Sequence, residues 1–253
     1  MEGRTVRNSM KRIKFLPLVA VAAGFLALTA QGAQANTFTY TAFNSSNVAI
    51  ATATFTTSAG EIDITLSNLI ADPSSAVDLI TGLEFLVSPV DPTLALSTAT
   101  GIPRTINDAT GTFTDGASQD IQWALGTRDG DLFLNKGSGN TLNIVGPPNT
   151  GTGLYDAANN SIGTHNPSTA IIGTFVLTGT GITADSNITL ANFIFGTDFE
   201  VTVEGDCTSG CDTGSPGPTG RDVPPVPEPT SLLLLGSGLV GAATAVRNRR
   251  RKA

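Results

Sequence analysis

The sequence predicts an all-β fold, an antiparallel β-sandwich of jelly-roll or Greek-key type, and three observations carry that expectation. Apolar residues alternate with Thr, Asp and Glu at period two in segment after segment. Each such segment ends in a cluster of Gly, Pro, Asn or Asp, the punctuation of short strands. No central stretch carries a 3.6-residue apolar period long enough for a substantial helix. One buried face per strand, repeated about ten times, is what two packed sheets supply.

The elements follow in order. Residues 37–43 alternate Phe38, Tyr40 and Ala42 with threonines, and residues 48–57 alternate alanines and Phe55 with Thr52, Thr54 and Thr56. Residues 61–66 set Ile62, Ile64 and Leu66 between Glu61, Asp63 and Thr65. Further strands are expected over 77–87, 119–125, 131–134, 141–145, 170–177 and 187–195. The last covers 199–204, where Phe199, Val201 and Val203 alternate with Glu200, Thr202 and Glu204. Asp129-Gly130 predicts a hairpin turn, because both residues tolerate positive φ. Pro147-Pro148-Asn149-Thr150-Gly151 interrupts the middle of the domain. No internal repeat of fixed period argues for a solenoid or propeller.

Charge narrows the function. Residues 36–226 hold four cations, Arg104, Arg128, Lys136 and Arg221, against 19 acidic residues, a net charge of −15. Nucleic acid is excluded as a partner, since neutralising phosphates requires clustered Lys and Arg. The whole-chain value of −7 is smaller only because both ends are basic.

Those ends read as export signals. Lys11, Arg12 and Lys14 precede an apolar run over 15–30, and Ala33-Gln34-Ala35 is a small-x-small cleavage site. Residues 1–35 are therefore expected to be a signal peptide, with the mature chain starting at Asn36 and with Met10 as an alternative start. Residues 207–226 are rich in Gly and Pro and read as a linker between a folded domain over 36–206 and a tail over 227–253. In that tail Pro227-Glu228-Pro229 comes first, then an uncharged run over 231–246, then Arg247, Arg249, Arg250, Arg251 and Lys252. As a helix, 232–246 would span about 23 Å at about 1.5 Å per residue, short against a hydrocarbon core of about 30 Å, so it reads as a weakly anchored transmembrane helix. The basic end should stay cytoplasmic by the positive-inside rule.

The motif, the apolar segment and the basic end, in that order, resemble the PEP-CTERM sorting signal, the substrate tag of the exosortase system of Gram-negative bacteria. The resemblance implies an exosortase-like processing enzyme acting near Pro227, Glu228 and Pro229. It also implies an inner-membrane intermediate, a final place on the cell surface or in the extracellular matrix, and an exopolysaccharide-producing source. It covers about a tenth of the chain and says nothing about the activity of the central domain.

Catalytic groups are sparse. His165 is the sole histidine, set in Thr164-His165-Asn166-Pro167, and reads as a turn residue. No Gly-x-Ser-x-Gly elbow accompanies it. Cys207 and Cys211, the only cysteines, are expected to form a small-loop disulfide in an exported chain. Asp129-Gly130-Asp131 with Asn135 suggests a calcium loop, but Asn140 stands where an EF-hand needs Glu, so a solvated hairpin turn is the better reading. Trp123 shares a face with Ile121 and Leu125 and is expected in the core rather than on a sugar-stacking platform. Neither a cofactor nor a metal is expected. The sequence thus predicts a non-enzymatic surface or matrix protein with a structural or adhesive role. A carbohydrate-binding module is the first alternative, and a secreted carboxylate-dependent hydrolase the second.

Overall fold

A computed structural model describes residues 35–211 except 138, 198 and 200. The expected signal helix, the sorting motif, the transmembrane helix and the linker beyond Cys211 lie outside the described residues. Among those described, no helix is long and apolar enough to cross a membrane.

About 53% of the described residues lie in strands and almost none in helix. It runs β1 (Asn36–Phe43), β2 (Ala49–Ser58), β3 (Glu61–Asn68), a 3-10 turn (Ala76–Asp78), β4 (Ile80–Ser88), β5 (Ala95–Ile106), β6 (Phe113–Asp115) and β7 (Gln119–Asp120). It continues with β8 (Ala124–Arg128), β9 (Asp131–Asn135), β10 (Ile144–Val145), α1 (Asn160–Gly163), β11 (Ser168–Thr178), β12 (Asn187–Phe195) and β13 (Val201–Ser209). The all-β expectation holds. The arrangement differs from two separate sheets, because every strand belongs to one hydrogen-bonded sheet that closes on itself.

Closure comes from β10. The path β11-β3-β2-β1-β13-β12-β4 is antiparallel throughout, and β10 bridges its two ends by pairing parallel to β11 and antiparallel to β4. Eight strands therefore form a barrel, with β5, β6 and β7 added beside β11 and β9 and β8 beside β4. A two-residue strand has no periodicity to read, so the strand that turns a sandwich into a barrel is silent in the sequence. Only Ile144 and Val145 of the expected 141–145 strand pair. The parallel β10–β11 step requires a long crossover, and residues 146–167 with α1 supply it.

Alternation places the core as expected. Phe38, Tyr40, Phe55, Ile62, Ile64, Leu66, Leu83, Phe85, Phe175 and Phe193 point inward and form one buried cluster. A second, smaller cluster of Leu79, Ile106, Val145, Tyr155 and Ile162 lies under the crossover and the 68–79 segment, which together cap one end of the barrel. Three local departures have clear causes. Residues 77–79 form a turn before β4 because the Asp78 carboxylate accepts from the backbone N–H groups of Ser74 and Ser75 at 2.8 and 3.2 Å. The expected 119–125 strand splits at Gln122, whose φ of 57° is fixed by its N–H donating to Asp120. At the other end, β13 pairs with β1 through Cys207 and Ser209, so the sheet runs past the expected boundary at residue 206.

Candidate functional site

The most concentrated chemistry lies under the cap. Arg104 on β5 faces Asp115 on β6 by ladder register. Its Nε and Nη2 donate to the two carboxylate oxygens at 2.7 Å each, a bidentate pair. Nη1 donates to the Tyr155 hydroxyl at 2.8 Å, and that hydroxyl donates to the Gly146 carbonyl at 2.8 Å. The guanidinium sits 4.0 Å over the Phe113 ring, which meets Tyr155 edge to face at 5.5 Å. Burial opposes the charge on Arg104, but hydrogen bonds with Asp115 and Tyr155 outweigh it and raise its pKa. The Arg104 hydrogen bond holds the Asp115 carboxyl below the usual range, while burial raises the Tyr155 phenol. Every strong donor here has an acceptor within the fold. The cluster is a latch that fastens the cap to the β5–β6 hairpin, and sequence reading missed it, although an arginine in the apolar context of Ile102-Pro103-Arg104-Thr105-Ile106 was a usable signal.

His165 belongs to the same cap. It follows α1, whose N-cap Asn159 accepts from the Ser161 N–H at 2.8 Å. Its Nδ1 donates to the Ser161 carbonyl at 2.6 Å, and its backbone N–H donates to Ile162. Asn166 then clamps Ile106 by donating to its carbonyl at 2.7 Å and accepting from its N–H at 3.0 Å. The histidine closes a helical turn, the role its sequence context suggested.

Asp129 lies in the β8–β9 turn and Asp131 begins β9. Both Asp129 and Gly130 have positive φ, 53° and 100°, with Arg128 opposite Asp131, the geometry of a type I′ hairpin. Asn135 accepts from the Gly137 N–H and Asn140 from the Leu142 N–H, so both amides shape the following loop. Among the described residues no three His, Cys, Asp or Glu are grouped to hold a metal.

The large polar aromatics are inside. Trp123 packs 5.0 Å from Phe175, and its Nε1 donates to the Leu142 carbonyl at 2.9 Å. Tyr40 is buried, its hydroxyl donates to the Ile188 carbonyl at 2.7 Å, and burial pushes its pKa up to about 12.

What the outer face offers instead is threonine. Register places Thr39, Thr54, Thr65, Thr174 and Thr100 in one row across β1, β2, β3, β11 and β5. Thr37, Thr56 and Asp63 form a row on one side, and Thr41, Thr52 and Ser67 a row on the other. Rows of this kind repeat at about 4.8 Å across strands and about 6.8 Å along them. Thr100 and Thr174 hydroxyls bond at 2.7 Å, whereas Thr39–Thr54 and Thr37–Thr56 stand 3.4 Å apart, longer than an ordinary hydroxyl pair. No single strand pattern announces this surface, because it exists only once the strands are in register.

A groove of about 310 Å³ lies at one end of the barrel, lined by Leu86, Val90, Leu94, Leu125 and Leu132. Asp91 closes it, accepting from the Thr93 hydroxyl and N–H at 2.7 and 2.9 Å and from the Gly181 N–H at 2.9 Å. These bonds, those from Thr93 foremost, hold its carboxyl below the usual range.

Of the expected processing and pairing residues, Ala35 and Asn36 are described and Ala33 is not. Asn36 is exposed at the start of β1. Cys207, on β13 opposite Tyr40, is joined to Cys211 through sulfur, with Cα atoms 6.2 Å apart. Pro227, Glu228 and Pro229 lie outside the described residues. Their assignment rests on comparison, where the PEP-CTERM protein-sorting motif matches residues 225–251. The chain carries a PEP-CTERM sorting motif. That motif marks an exported substrate of an exosortase-type enzyme and leaves the barrel domain unassigned. No curated protein and no solved structure matches the chain.

Proposed function

We propose that the barrel is a non-enzymatic structural or adhesive module, released by an exosortase-type enzyme to the cell surface or extracellular matrix, where its partner is exopolysaccharide. The sorting motif supports the route. The threonine rows carry the adhesive reading. Apart from Asp63 and the buried Thr41, they present uncharged hydroxyls and methyls on a face whose centre lacks Lys, Arg and aromatic side chains, so each contact to a polymer hydroxyl is weak and affinity comes from many contacts in parallel. A polymer laid across the strands meets one threonine per strand along the central row. This favours an extended chain over a short soluble sugar, for which a stacking aromatic would be wanted.

The test is retention on immobilised exopolysaccharide of the mature protein and of a Thr54→Val/Thr65→Val/Thr174→Val variant, which keeps shape and β preference while removing three hydroxyls. The variant should elute earlier with an unchanged far-ultraviolet spectrum, and Thr65→Lys should behave likewise. Equal retention of all three proteins would reject the threonine face. Turnover of the polysaccharide by the wild type would reject the non-enzymatic reading in favour of a secreted hydrolase.

A further inference from the structure

We draw no further inference here: the strongest candidate, the apolar groove of about 310 Å³ between the β8–β9 hairpin and the 89–94 loop, carries nothing because nothing in the structure shows what covers it.

Discussion

Raising the pH from 9 to 12 should destabilise this domain through Tyr40. In the fold its phenol is buried and donates to the Ile188 carbonyl, and its pKa is pushed from 10.0 up to about 12. A raised folded pKa means that the native state holds the proton more tightly than the unfolded chain. The stabilisation is complete below pH 10, where both states are protonated, and is lost as pH climbs towards 12, because only the unfolded phenol has ionised. A shift of about two units at about 1.36 kcal/mol each amounts to about 2.7 kcal/mol, a large part of a typical domain's stability. Tyr40→Phe should cost about 1–3 kcal/mol at pH 8, since the Ile188 carbonyl loses its donor, yet should flatten the stability profile between pH 10 and 12. Urea unfolding at pH 8, 10 and 11, alongside phenolate absorbance, measures both effects. Tyr155 is the only other tyrosine, so the residual phenolate absorbance in the variant belongs to it. A Tyr40 that ionises near pH 10 in the folded protein, with no loss of stability, would refute the argument.

Other perturbations act on the latch and the bridge. Arg104→Ala leaves the Tyr155 hydroxyl and half-exposed Asp115 without their shared donor, and should cost about 2–3 kcal/mol in urea unfolding, with amide exchange quickening in residues 146–167 before the barrel. Asp115 has a depressed pKa in the fold, so its contribution is present above about pH 3.8 and fades as pH falls below that value. Acid titration of wild type should show this loss and Asp115→Asn should not. The Cys207–Cys211 loop is short, so Cys207→Ser/Cys211→Ser should lower stability by only about 2 kcal/mol by thermal or chemical unfolding. A larger loss would mean that the bridge holds more of the sheet than the end of β13.

How far the sequence revealed this architecture varied with the physics of each element. β2 and β3 were readable because one face is buried and the other more exposed, which forces alternation. β5 was not, although it is the longest strand. Gly101 sits where a side chain would strike Thr169 and Ile121, Pro103 breaks the usual strand composition, and a buried Arg104 replaces an apolar residue. Each of those residues is chosen by tertiary neighbours, which local pattern does not report. Barrel closure was hidden for the same reason, since Ile144 and Val145 become a strand only when β4 and β11 stand on either side. The candidate surface divides likewise. The turn role of His165 and the buried Trp123 could be inferred from neighbours in sequence, whereas the central threonine row combines residues from five strands and the Arg104 latch joins residues up to 51 apart.

The central claim concerns processing, and intact-mass measurement of protein recovered from the cell surface tests it most directly. Cleavage after Ala35 and near Pro227, Glu228 and Pro229 predicts a species that begins at Asn36, ends close to that motif and lacks the basic tail, and Glu228→Ala should deplete that species while leaving the barrel folded. Surface protein that still carries residues 249–253 would contradict the account.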